Sequence, residues 1–134
     1  LEFAILGEEG QPRKAYAAQA AMAGMMGPRF TFSGQLKKGI SDDERHAAHL
    51  QGYAFQCDNK AVAIAWIAEE ETATVALHVP EGAEVYDIMG LKMPPATSIN
   101  LGVSPIYIVS RSLPASDLAE ACRFSINTGD KTNK

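Results

Sequence analysis

From Ala15 to Met26 the chain reads AYAAQAAMAGMM, and Gln19 is its only strongly polar residue. Gly10-Gln11-Pro12 precedes this run and Gly27-Pro28 follows it. Proline at a first helical position loses no hydrogen bond, and a Gly-Pro pair cannot continue a helix. The spacing therefore predicts a helix over Arg13 to Met26. A helix that is apolar nearly all round has to be covered nearly all round. One sandwich domain covers one face, here Tyr16, Ala20 and Ala23 at helical spacing. Met22, Met25 and Met26 point elsewhere and are expected to need a second partner, either another polypeptide segment or a second copy of the chain.

After the helix the hydrophobic period changes to that of strands. Phe30 to Leu36 alternates, and Tyr53 to Cys57 is a short strand ended by the turn signal Asp58-Asn59. Ala61 to Ala68 (AVAIAWIA) is apolar throughout and is predicted to be buried on both faces. Its bulky residues Val62, Ile64 and Trp66 share one side. Ala61, Ala63 and Ala65 leave the other side thin for close packing. Thr72 to Val79 places Val75, Leu77 and Val79 inward. Pro80-Glu81-Gly82 turns the chain into a strand over Ala83 to Met89, Ser98 to Leu101 is a short strand, and Ile106 to Ser110 closes the series. A capping box at Ser41-Asp42-Asp43-Glu44 predicts a helical turn through Leu50. A last short helix is expected between Ser112 or Pro114 and Phe124, with Leu118, Ala121 and Cys122 inward, followed by a polar tail from Asn127. Short strands separated by turn residues argue a mainly β chain: an antiparallel β-sandwich of seven or eight strands preceded by one helix.

A length of 134 residues suits one domain with a sizeable core. The net charge of −4 removes the electrostatic footprint of a nucleic-acid binder. No apolar run reaches the length of a membrane helix. The opening Leu1-Glu2-Phe3-Ala4-Ile5-Leu6 carries no signal-peptide pattern and reads as a start inside a longer polypeptide. Cys57 and Cys122 form no CxxC, so neither a structural zinc nor a redox motif is supported. Free thiols are expected in preference to a single bridge between them.

Candidate chemistry is thin. His46 and His49, with Asp42, Asp43 and Glu44 nearby, have the types of a metal site, but the loose spacing reads as a solvated turn. Glu69-Glu70-Glu71 reads as a charged loop tip. Glu84 and Asp87, three apart on one predicted strand, fall on opposite faces and cannot act as an acid/base pair. There is no Gly-rich phosphate loop, G-x-S-x-G elbow or Cys/His pairing. Trp66, Tyr53, Tyr86 and Tyr107 are the side chains able to stack on a sugar. Their strand positions favour packing for Trp66 and edge anchoring for the Tyr86 and Tyr107 hydroxyls. No catalytic residue, metal ligand or cofactor site is read from the sequence.

Three segments carry a family resemblance. Glu84-Val85-Tyr86-Asp87-Ile88-Met89-Gly90, with Ile99-Asn100-Leu101-Gly102-Val103-Ser104-Pro105-Ile106-Tyr107-Ile108 after it, resembles the "v-D-l-M-G-n … l-t-l-s-x-x-P-v-Y-l" end of the C-terminal β-sandwich of clan-A type glycoside hydrolases. Ala61–Ala68 is similar to the strand ending in Trp that precedes it there. Gln11-Pro12-Arg13-Lys14-Ala15-Tyr16 resembles the "x-P-K-P-A-Y" start of the last helix of their (β/α)8 barrel, with Lys14 where a second proline is common. The likeness spans roughly Gly10 to Ser110. Lys92-Met93-Pro94-Pro95 departs from its usual polar loop.

The resemblance implies an organisation. Residues 1–28 would end a preceding catalytic barrel, 29–112 would form the accessory sandwich, and 113–134 a C-terminal helix or tail. The catalytic carboxylates of such enzymes stand at the C-terminal ends of barrel strands, so no residue here inherits that role. The chain is then expected to be non-catalytic, to need no cofactor, and to pack against and stabilise the absent barrel; where the parent resides is left open, a secreted or periplasmic enzyme being one case. Two other readings stand beside it: a carbohydrate-binding module for poly- or oligosaccharide, and a free-standing domain that self-associates through Met22, Met25 and Met26.

Overall fold

The computed structural model describes residues 22–37, 50–68 and 74–127. Its strands are β1 (Phe30–Gln35), β2 (Leu50–Cys57), β3 (Ala61–Ile67), β4 (Thr74–His78), β5 (Glu84–Tyr86), β6 (Ser98–Asn100), β7 (Ile106–Ser110) and β8 (Phe124–Asn127). The described part of helix α1 is residues 22–26, and α2 is Ala115–Ala121. A five-stranded sheet in the order β1-β2-β3-β7-β5 faces a three-stranded sheet in the order β6-β4-β8, and every strand pair is antiparallel. The chain is the mainly β antiparallel sandwich that the turn spacing predicted.

The larger sheet has two apolar faces, and β3 shows why. Ala61, Ala63 and Ala65 are sealed on the inner face, in one cluster with Val75, Leu77, Val79, Ile108, Leu118 and Phe124. Methyl-sized side chains let the smaller sheet and α2 approach closely, and α2 packs against β1, β2 and β3. Val62 and Ile64 point to the opposite, outer face and join a second cluster with Phe55, Cys57, Tyr107, Val109 and Met26. Cys57 and Cys122 thus belong to clusters on opposite faces, and both are free thiols.

Local chemistry sets the element ends. Gly27 takes φ +79°, and its N–H donates to the Ala23 carbonyl at 2.9 Å, the left-handed stop that closes α1. Gly82, at φ +86°, is the third residue of a turn in which the Ala83 N–H donates to the Pro80 carbonyl at 3.1 Å. Pro114 begins α2 with no side-chain cap, but Gln56 of β2 accepts from the Ala115 N–H at 2.8 Å.

Several boundaries differ from the sequence expectation. Leu50 opens β2 and pairs with Ile67, so it does not end a helical turn; the rest of that turn lies outside the described residues. β5 stops at Tyr86 because the Asp87 carboxylate accepts from the Met89 and Leu91 N–H groups, each at 2.9 Å, and folds the chain back. The final helix ends at Ala121, with Ala119 buried more deeply than Ala121. Phe124 then starts β8, which pairs with β4, so residues up to Asn127 are part of the sandwich and not a tail.

Candidate interaction surface

The outer face of the larger sheet is laid out by register. One row across it is Phe32, Phe55, Val62, Val109 and Glu84; the next is Tyr53, Ile64, Tyr107 and Tyr86. Phe30 stands opposite Cys57, and Gln51 opposite Trp66. α1 lies over the centre of this face: Met26 is buried, and Met22 and Met25 are half-buried against the cluster. This corrects the expectation that the three methionines face away from the chain's own sheet. The sandwich was expected to cover the Tyr16, Ala20 and Ala23 face of the helix, whereas the bulky outer side of the larger sheet meets the methionine face. Ala23, expected to face the sandwich, is exposed; Tyr16 and Ala20 lie outside the described residues.

The cover is incomplete on the β1 side. Phe30 and Phe32 are 43% and 55% exposed. Both rings sit edge-on to Phe55, at centroid distances of 5.8 and 5.7 Å. Phe32 also meets Tyr53 at 6.3 Å, and Tyr53 meets Trp66 at 5.9 Å, with interplanar angles of 54° and 49°. Rings tilted this far apart do not make the flat platform on which a sugar chain stacks. Trp66 itself is half-buried, and the Tyr53 hydroxyl donates to the Gln51 side chain at 2.6 Å.

At the opposite edge the surface turns polar. The Arg111 guanidinium donates to Glu84 at 2.6 Å, the Tyr86 hydroxyl at 2.8 Å and the Lys92 ammonium at 3.2 Å. Arg111 first, then the Tyr86 hydroxyl and Lys92, hold the Glu84 carboxyl well below the usual carboxylate range, at about 2. A carboxylate so fully engaged is a clasp between β5, β7 and the loop after β5, and is a poor proton acceptor. Burial pushes the Tyr107 phenol up to about 12 and the Cys122 thiol to about 12, and raises Cys57 as well.

The other residues singled out in the sequence fall as follows. Asp87 is a turn residue, so no face of a strand relates it to Glu84. Tyr107 is buried on the interior strand β7 and so anchors no sheet edge, and the Tyr86 hydroxyl donates within β5 to Glu84. Asp42, Asp43, Glu44, His46, His49 and Glu69-Glu70-Glu71 lie outside the described residues. Among the described residues, no cluster of His, Cys, Asp and Glu could hold a metal ion, and no helix is long and apolar enough to cross a membrane. The exposed Phe30 and Phe32 were missed as surface features, because alternation marks a strand without telling whether a layer lies over it. No protein family, curated protein or solved structure matches the chain.

Proposed function

We propose that the chain is a non-catalytic accessory β-sandwich of a glycoside hydrolase, which packs against and stabilises a (β/α)8 catalytic barrel through α1. α1 carries the reading by its uncovered side, and not by its methionine side, which was expected to need the barrel but is already covered by the chain's own sheet. Its methionine side grips the outer face of the larger sheet, while Ala23 and Gly24 on its far side are exposed. A Cβ added at Gly24 would meet nothing within 4 Å. A helix held on one side and narrow on the other suits a second layer approaching from outside. The resemblance adds support, since its two principal segments become neighbours: Tyr86 of β5 pairs directly with Tyr107 of β7.

Gly24 gives the test. In this chain alone, Gly24→Leu fills open space in a helix and is expected to leave the melting temperature unchanged or raise it slightly. In a polypeptide that joins the chain to its barrel, the same change is expected to lower the temperature at which glycoside hydrolysis is lost, with KM unaltered. The chain alone is expected to hydrolyse no aryl-glycoside. Hydrolysis by the purified chain that disappears on replacing one of its own carboxylates would overturn the proposal.

A further inference from the structure

We propose that two copies of this chain associate through β1, antiparallel, about a two-fold axis passing through Thr31. The inference does not draw on the barrel contact, which uses the far side of α1.

The sheet edges are not equivalent. Beside β5 the chain returns: the Met93 N–H donates to the Val85 carbonyl at 2.8 Å, and Tyr86 bridges Lys92. Lys37 closes the start of β8, its carbonyl accepting from the Phe124 N–H at 3.3 Å. β6 is only three residues long. β1 has six residues, pairs only with β2 among the described residues, and contains no charge and no proline. Charges, prolines and covering loops are the usual means of blocking a free edge. β1 has one such device, a bulge between Phe32 and Gly34, which confines regular pairing to its first half.

That half is self-complementary. Phe30-Thr31-Phe32 reads the same in both directions, so a two-fold axis at Thr31 sets Phe30 opposite the partner's Phe32 on the outer face, Thr31 opposite the partner's Thr31 on the inner face, and Arg29 opposite the partner's Ser33. Aromatic pairs and Thr–Thr pairs are among the favourable cross-strand combinations, and no like charges meet. A two-fold interface requires a patch that matches itself, and this triplet does. Both phenylalanines of each copy, the exposed aromatic rings of the strand, would be covered from the edge. The product is one continuous ten-stranded sheet with the two α1 helices on the same side. Three regularly paired residues, flanked by Arg29 and Ser33, bury far less than a permanent dimer needs, so association is weak and depends on concentration.

Sedimentation equilibrium from micromolar to millimolar chain tests this. The expected result is a mass that rises from monomer toward dimer. The double variant Phe30→Lys/Phe32→Lys sets like charges opposite each other twice, and its dimer dissociation constant is expected to rise at least about ten-fold. A mass that stays monomeric across the range, or a folded double variant that dimerises as the parent does, overturns the proposal. Thr31→Cys gives a second reading that does not depend on how the double variant folds. Opposed across the axis, the new thiols should cross-link under mild oxidation faster than those of Gln35→Cys beyond the bulge. Equal rates for the two would place the contact elsewhere and sink the register.

Discussion

Replacing Gly52 with alanine tests the inner core at its tightest point. Gly52 sits on β2 facing inward, opposite Ala65 of β3. An added Cβ would lie 2.7 Å from Leu36 Cδ1, 2.9 Å from Leu36 Cγ and 2.9 Å from Phe124 Cζ, all inside van der Waals contact. Leu36 and Phe124 are themselves 2% and 1% exposed, so neither can swing into solvent to make room. Overpacking of this kind costs about 1–3 kcal/mol. The lost freedom of the unfolded glycine returns about 0.4–1 kcal/mol. Sterics win, and Gly52→Ala should destabilise by about 1–2 kcal/mol, a fall in melting temperature of about 4–7 °C for a chain of this size. Calorimetry and urea titration measure it. Leu36→Ala alone should cost about 2–5 kcal/mol. In the double variant the space it opens receives the new methyl group, so the two losses should fall short of additivity by about 0.5 kcal/mol or more. A Gly52→Ala protein as stable as the parent would refute the close approach of β2, β8 and the end of β1 on which the inner face depends.

The ionisable groups give signed expectations. Glu84 is depressed to about 2 in the folded chain, so its contribution is complete above the unfolded carboxylate range and is lost as pH falls from there toward 2. Glu84→Gln should flatten that acid limb of stability without altering the plateau slope near neutrality. Tyr107 titrates near 12 when folded, so its contribution is complete below the unfolded phenol value and fades as pH rises from about 10 toward 12. Tyr107→Phe should reduce the alkaline slope in that window, measured by denaturant titration at stepped pH. Cys57 and Cys122 are buried thiols with raised pKa values, so Ellman's reagent should label neither in the native chain and both on unfolding. Rapid labelling of Cys122 in the native protein would contradict its place in the inner core at the end of α2.

Where the sequence carried a two-residue period over a long run, it was legible. β3 displayed its alanine side and its bulky side directly, and each lies where the alternation put it. Short elements were harder. β8 has four residues after a helix, and Ser125 and Asn127 blend into the polar tail, so nothing local distinguishes a strand from a fraying end. β5 looked longer than it is because Asp87 to Met89 continues an alternating pattern; the Asp87 side chain overrides it by bonding two backbone N–H groups. The exposed rings of β1 depend on its position at a sheet edge with no layer over it among the described residues, which is a property of topology and not of the strand's own residues. The polar clasp was also invisible, since Glu84 and Arg111 lie 27 positions apart and meet through the β5–β7 pairing.

A sheet with two apolar faces needs two covers, and the chain supplies them from opposite ends. The inner cover comes from β4, β6, α2 and β8, all later in sequence than β3. The outer cover comes from α1, before β1. That order bears on where the domain begins. A boundary at residue 29, the one the resemblance implies, would strip Met22, Met25 and Met26 from Phe55, Val62, Ile64 and Val109, each sealed or nearly so beneath the helix. Apolar surface exposed in one continuous patch on a small domain drives aggregation. The helix is therefore a layer of this sandwich, and the smallest unit expected to fold includes Met22, Met25 and Met26. By the same reasoning, a barrel docked on the far side of α1 would share that helix with the sandwich, so loosening the methionine contacts should weaken both parts together.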